Sequence, residues 1–370
     1  MYIEKIRLKN FRNYADEAFE FGEKINIIAG KNAQGKTNLV EGISLLSMAK
    51  SFRTTKETEM IAHGEDRFLV SGEFSKHGNP YILDIEFFEQ GKSIQKKYQI
   101  NGVKKEKVTD LFSGIYTVVF SPEDLKIVQG EPDRRRRFLD RELILIKPSY
   151  YENLRKYKKI LKNRNLLLKE AKDGVKDENL LRVYDEYLAE AGALVMEQRA
   201  DFIVKLSKTA KETARKISAG ADELEVEYNP SAPREAGKER QEKKLLEILA
   251  EQREKDILYG TTGVGPHRDD LLLKTNGREL KSYGSQGQQR TASLALRLAE
   301  QKLIKEETGE DAILLLDDVL SELDRDRQKL LLENFEDNQL FITTADMNEK
   351  IMGDIAEKKL IIISAGEATK

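Results

Sequence analysis

Strand-length apolar runs dominate the first third of the chain. Residues 3–11, 19–29, 68–74, 81–88 and 115–120 are apolar or alternate apolar with polar positions, the period of a β-strand with one or both faces buried. The runs 93–100 and 103–108 flank Asn101-Gly102, which predicts a hairpin with a type I′ turn, because both residues tolerate positive φ. From about Pro122 to Tyr259 the apolar period lengthens to about 3.6, as at Leu154, Tyr157, Leu161 and Leu168, and several helices are expected. Turn-forming residues at 229–237 interrupt them with an exposed loop. After Gly260 the strand-and-turn pattern returns, with runs at 312–316, 340–343 and 360–363 of the kind that form buried parallel strands. The expected fold class is α/β, split by a mainly helical insertion lobe, with segments 1–121, 122–259 and 260–370.

Between the apolar run 25–29 and a helix with Leu39, Ile43 and Leu46 on one face lies Gly30-Lys31-Asn32-Ala33-Gln34-Gly35-Lys36-Thr37, a match to G-x-x-x-x-G-K-[ST]. Such a loop curls so that backbone N–H groups converge on a phosphate at a helix N-terminus. All eight residues are therefore expected to bind ATP, with Lys36 neutralising the β- and γ-phosphates and the Thr37 hydroxyl ligating Mg2+. The run 313–316 ends in Asp317-Asp318, the form of a Walker B strand; Asp317 is expected on the metal and Asp318 on the attacking water.

Ser285-Gln286-Gly287-Gln288-Gln289 precedes a helix with Ala292, Ala295, Leu296, Ala299 and Leu303 on one face. Taken alone it is a helix N-cap. Beside the two other motifs it has the form of an ABC signature loop, in which Ser285, Gly287 and Gln288 of one subunit meet the γ-phosphate held by another. Ser321-Glu322-Leu323-Asp324 has the form of the D-loop at the same seam. An ABC-type P-loop ATPase head follows, with Lys36, Asp318 and Ser285 as catalytic candidates and an ATP-dependent head-to-tail homodimer as the working state.

Composition narrows the chemistry. No cysteine is present, so disulfides, zinc–thiolate sites and cysteine nucleophiles are excluded; the histidines are His63, His77 and His267. With 63 basic and 65 acidic residues the net charge is -2, so any nucleic-acid contact must come from local patches. No run is apolar enough to span a bilayer and no secretory h-region opens the chain, so a cytoplasmic protein with no membrane partner is expected.

Five blocks resemble the RecF family of bacterial recombination mediators, nearly end to end: Asn10-Phe11-Arg12-Asn13-Tyr14, Ser51-Phe52-Arg53, Ser121 to Leu125 with Pro132 to Asp140, Gly265-Pro266-His267-Arg268-Asp269-Asp270, and Ser285 to Arg290. The resemblance implies an ATP-dependent clamp on double-stranded and gapped DNA, association with RecO and RecR, and assistance to RecA loading. Two departures from the wider ABC pattern imply slow hydrolysis: Asp318 stands where Glu is usual, and 342–346 offers Thr344 in place of the switch histidine. The alternative is the nucleotide-binding subunit of a membrane transporter, which has no need of the first and fourth blocks.

Lys96, Lys97, Lys104 and Lys105 on the expected hairpin either grip DNA phosphates or protect a sheet edge. Arg134 to Arg137 either bind phosphate or pair with Asp133, Asp140 and Glu142; Arg155, Lys156, Lys158, Lys159, Lys162 and Arg164 either bind DNA or form a solvated face.

Overall fold

The computed structural model describes residues 1–370 except 92, 113, 176, 324–326, 329, 330, 332–334, 336, 337, 346–357, 365, 366 and 370. In chain order the elements are β1 (Tyr2–Phe11), β2 (Tyr14–Glu20), β3 (Ile25–Ala29), α1 (Lys36–Met48), β4 (Arg67–Lys76), β5 (Asn79–Gln90), β6 (Ser93–Ile100), β7 (Val103–Lys105), β8 (Thr117–Phe120), α2 (Leu125–Gln129), α3 (Pro132–Ile146), α4 (Pro148–Lys172), α5 (Glu178–Ile217), β9 (Leu224–Asn229), α6 (Lys238–Glu251), α7 (Arg253–Tyr259), β10 (Asp270–Thr275), β11 (Arg278–Glu279), α8 (Leu280–Tyr283), α9 (Gln286–Thr308), β12 (Ile313–Leu316), β13 (Leu340–Thr344), β14 (Lys358–Ser364) and β15 (Glu367–Thr369).

They form two compact units, Met1–Asp124 with Glu300–Lys370, and Leu125–Ala299. The expected boundary at 121/122 falls at 124/125. The one expected at 259/260 falls at 299/300, inside α9, because β10 pairs with β9 and so belongs with the helical segment.

The first unit holds two six-stranded sheets. One is antiparallel, in the order β2-β1-β4-β5-β6-β7; the other runs β15-β14-β3-β13-β12-β8 and is parallel from β14 to β8. Helix α1 packs against strands of both, which explains why it buries nearly every residue instead of showing one apolar stripe. Gly42 on this helix allows close approach to β1: a Cβ there would stand 2.7 Å from a methyl of Leu8, which would have to shift. The hairpin β6–β7 has Asn101 and Gly102 at φ 49° and 76°, as a type I′ turn requires.

The second unit is mainly helical, built around the 40-residue α5, which packs on α4, α6 and β9. Two buried arginines order it. Arg164 donates to Asp185 and Asp256, each at 2.7 Å, and Arg199 donates to the carbonyl of Pro266 at 2.6 Å and to Asp140 at 2.7 Å.

Several elements depart from the sequence pattern. The run 19–29 breaks at residues 21–24, so its two ends join different sheets. Strand β9 interrupts a stretch expected to be helical. Leu360 is half exposed because β14 alternates between a buried and an open face. Arg164 is not part of a solvated face but fully buried between two carboxylates.

Candidate functional site

The P-loop emerges from β3 and turns into α1. Ala33 takes φ 66° and Gly35 φ 122°, a sequence of conformations that directs N–H groups into the loop. Gly35 is required twice over, since a Cβ there would also lie 2.8 Å from the Tyr14 hydroxyl. Helix α1 has no side-chain cap and no acid in its first turn, which leaves its N-terminal N–H groups and dipole for an anion. Lys36 is buried, and its Nζ donates to the carbonyls of Gly30 at 2.7 Å and Lys31 at 3.1 Å, spanning the loop it serves. Lys31, Asn32 and Ala33 are exposed at the tip.

The first family-like block is the clamp on this loop. Phe11 pairs with Tyr14, so Arg12 and Asn13 form the turn between β1 and β2. Tyr14 Oη donates to the carbonyl of Gly35 at 2.9 Å, and Asn13 Nδ2 donates to that of Gln34 at 3.1 Å. Burial pushes the Tyr14 phenol well above its ordinary pKa, so it stays a donor. Arg12, at φ 57°, forks onto the fully buried Glu41 of α1 and also donates to the carbonyl of Glu59. Arg53 from the second block meets the same carboxylate at 3.1 Å and Asn38 at 2.7 Å, and Ser51 donates to Glu41 as well. None of these supporting roles follows from the P-loop motif. The signal was a helix charge facing two distant arginines, which only the fold brings together.

Strand β12 delivers the acid pair to the same place. Thr37 Oγ1 donates to Asp317 Oδ1 at 2.9 Å, joining residues 280 positions apart. Asp318 is at φ 53°, a left-handed conformation that Asp tolerates better than most residues. Thr343 at the end of β13 ties the pair together. Its Oγ1 accepts from the Asp318 N–H at 2.9 Å and donates to Asp317 Oδ1 at 3.0 Å. The hydroxyl on the carboxylates is therefore that of Thr343. Burial, then the adjacent charge of Asp318, holds the Asp317 carboxyl above its usual range against lowering hydrogen bonds from Thr37 and Thr343. Asp324 and Asp346 lie outside the described residues.

The signature candidate lies in the other compact unit. Ser285 caps α9 in a reciprocal box: the Gln288 N–H donates to Ser285 Oγ at 3.2 Å, and the Ser285 N–H donates to Gln288 Oε1 at 3.0 Å. Gln288 Nε2 donates to Asp222 Oδ1 at 3.1 Å. Gln289 donates to the carbonyl of Leu280 and accepts from Gln129. Ser285 and Gln286 are exposed and Gly287 half-buried, so the loop offers a hydroxyl and N–H groups while its glutamines anchor it.

The lysine hairpin is not one cationic patch. Strand alternation puts Lys97 and Lys104 on the face of Asp84 and Glu86, and Lys96 and Lys105 on the face of Phe87 and Tyr98. Lys96 pairs with Glu57, Lys97 with Glu86 at 3.4 Å and Lys104 with Glu106 at 2.9 Å.

The arginine run is mostly engaged within its own unit. Arg135 forks onto Asp270 at 2.7 and 2.8 Å, Arg136 donates to the carbonyl of Asp269, and Arg137 pairs with Asp133. His267 accepts or donates at Nδ1 with the Tyr157 hydroxyl, 2.6 Å away, and burial pushes its pKa down to about 4. The Gly265 to Asp270 block thus stitches the second unit.

Comparison with known proteins agrees with this geometry. The RecF/RecN/SMC N terminal domain matches residues 2–366. A DNA replication and repair protein RecF of Oceanobacillus iheyensis is 42% identical, the alignment covering 94% of each chain, and one of Acetivibrio thermocellus is 41% identical with the same coverage. A solved structure of the recombination mediator protein RecF-ATP in the RecFOR pathway superposes with a TM-score of 0.91 at 39% identity, covering 100% of this chain and 97% of that one. An Smc head domain of Pyrococcus furiosus shares the fold, with a TM-score of 0.54 at 17% identity. An ABC-type ATPase head carrying the five blocks over almost its whole length, this chain belongs to the RecF family.

Proposed function

We propose that two copies of the chain close head to tail around two ATP molecules, and that the closed dimer clamps double-stranded or gapped DNA during recombinational repair. The observation that carries this reading is the bond from Thr37 to Asp317, which brings the P-loop and the acid pair together inside one subunit. An exposed, capped Ser285 in the other unit has the chemistry to complete the centre of a partner copy. Family membership supports the DNA role, the RecFOR pathway named for the relative supports association with RecO and RecR, and help in loading RecA is the step in that repair which the proposed clamp would serve. It disfavours the transporter reading. A cytoplasmic location accords with that role; among the described residues no helix is long and apolar enough to cross a membrane.

The residues present fit Mg2+. Thr37, Asp317 and Asp318 are hard oxygen donors gathered at one mouth, and the burial that raises Asp317 is the strain a divalent cation relieves. When bound, Mg2+ supplies charge neutralisation for the phosphate oxygens. With nucleotide bound, Lys36 would exchange its loop carbonyls for the phosphates, Asp317 and Thr37 would hold the metal, and Asp318 would orient water and accept its proton. The aspartate is one methylene shorter than the usual glutamate, so turnover is slow in this scheme. Lys97 and Lys104, the more open pair of the hairpin, are the DNA-contacting lysines of this scheme.

Sedimentation of the protein with fluorescent duplex DNA, with and without ATP and Mg2+, tests it. An ATP-dependent dimer that captures DNA is expected. Dimerisation without DNA capture removes the clamp, and a monomer in both conditions removes the head-to-tail dimer.

A further inference from the structure

The Ser285 loop is exposed, and its shape hangs on one side chain whose amide orientation is set from both ends. Gln288 must turn its carbonyl toward the Ser285 N–H and its amino group away. A glutamine amide offers either end at similar cost unless a neighbour discriminates. The Ser285 N–H, which needs an acceptor, discriminates at one end, and Asp222, a carboxylate that only accepts, discriminates 3.1 Å from Nε2 at the other. With Asp222 present, the flipped amide would set oxygen against oxygen.

Asp222 is itself rigidly placed, in the turn between α5 and β9. It is 9% exposed, and its N–H donates to Ser218 Oγ at 2.8 Å. Asn276 staples the same turn, accepting from the Glu223 N–H at 2.9 Å and donating to the carbonyls of Glu223 at 3.0 Å and Ala221 at 3.1 Å. The orientation reaches the cap directly. With Gln288 held, its N–H engages a lone pair of Ser285 Oγ, leaving the Ser285 hydroxyl proton free to point outward as a donor.

We propose that Asp222 is a positioning residue for the signature loop, locking the Gln288 amide so that Ser285 presents its hydroxyl to the phosphate chain of a nucleotide held by a second copy. Gln288 in this arrangement acts as a strut, each end of its amide making one hydrogen bond within its own unit. The proposal rests on the reading of Ser285 as the group that completes a partner's ATP site.

The experiment compares the full-length parent with Asp222→Ala, Asp222→Asn and Ser285→Arg. It measures fluorescent ATP binding to the monomer and ATP-dependent dimerisation by sedimentation velocity. Asp222→Ala should keep the monomer's ATP affinity while weakening dimerisation roughly tenfold, the loss expected for a hydrogen bond to a charged group. Asp222→Asn, whose carbonyl still accepts from Gln288, should restore most of it, an outcome that a merely destabilised fold would not give. Hydrogen exchange at the α9 N-terminus should rise in Asp222→Ala alone, and this readout serves even if that variant proves less soluble. Dimerisation of Asp222→Ala at parental strength with unchanged exchange overturns the proposal and leaves the reading of Ser285 standing. If Ser285→Arg dimerises like the parent, that reading falls and the proposal falls with it.

Discussion

The P-loop and the signature loop both end in a helix N-terminus made for anions, but they are built in opposite ways. The P-loop is held from every side by residues of its own unit: Tyr14 and Asn13 on its carbonyls, Lys36 across its mouth, and Thr37 on Asp317. The signature loop has a self-contained cap, two glutamine anchors and an open front. A cradle that must grip phosphate within one subunit gains from preorganisation, because no ordering cost is left at binding. A surface that a second copy completes, as proposed for Ser285, must stay exposed until that copy arrives. On the proposed dimer, the difference argues that nucleotide affinity resides in the first loop and that ATP dependence of assembly resides in the second.

The sharpest way to break this comparison is to disable each half and look for the wrong loss. Lys36→Met removes the cation that spans the loop. It should weaken ATP binding more than a hundredfold, about 3 kcal/mol or more, as for truncation of a buried charge partner; fluorescent-nucleotide titration reads it. Ser285→Arg should leave that titration unchanged and abolish the ATP-dependent dimer in sedimentation, since added bulk and length sit where the partner's phosphate is expected. A Ser285→Arg variant that lost ATP affinity as monomer would collapse the distinction between the loops.

Asp318→Asn probes chemistry within the preorganised half. Asparagine tolerates the φ of 53° found here, so the fold should survive, while removal of the proposed water-orienting base should slow hydrolysis about a hundredfold or more. The ATP-bound dimer should persist, and a phosphate-release assay beside sedimentation separates the two effects. Unchanged hydrolysis would move the base elsewhere.

Motifs with a fixed local spacing were legible in the sequence: the P-loop, the Asp317-Asp318 strand end and the Ser285 cap all stand where the pattern put them. So was the hairpin turn at Asn101-Gly102. What escaped depends on partners distant in the chain. Glu41 reads as an ordinary helix charge until Arg12 and Arg53 converge on it, and Arg164 reads as one more base of a polar face until Asp185 and Asp256 enclose it. Two misses had a signal within reach. Leu224 to Tyr228 alternates apolar with acidic residues, a strand period hidden in a helical neighbourhood. Strand parity, with the register set by the Asn101-Gly102 turn, also suffices to separate Lys96 and Lys105 from Lys97 and Lys104.

Acid distinguishes the interiors of the two units. His267 in the second unit is neutral when folded, its pKa lowered from 6.5 to about 4 by burial. Below pH 6.5 the unfolded chain takes up a proton that the folded one refuses, so stability falls as pH drops toward 4, by on the order of 3 kcal/mol over the window. Asp317 in the first unit is shifted the other way. Its raised carboxyl binds a proton more readily when folded, so acid relieves its burial. Hydrogen exchange at pH 7 and pH 5 should show α4 and β10 loosening before β12, and His267→Gln should flatten the pH response of the second unit. Equal loosening of β12 would contradict the contrast.

Thr343 gives the smallest effect and the finest test of why the first loop is rigid. Its hydroxyl touches both residues of the acid pair, accepting from the Asp318 N–H and donating to Asp317. Thr343→Val keeps the shape of the strand end but leaves a part-buried N–H without its acceptor, costing about 1–2 kcal/mol in denaturant unfolding. Freed from one of its two hydroxyl donors, Asp317 should hold its charge less well, so the Mg2+ concentration needed for half-maximal ATP hydrolysis should rise a few-fold, about the effect of one hydrogen bond. If preorganisation resides in the loop alone, stability falls while the Mg2+ requirement stays put. If the acid pair belongs to the same rigid construction, the two move together, and the rigidity of the cradle extends from the Gly35 carbonyl clamp to the end of β13.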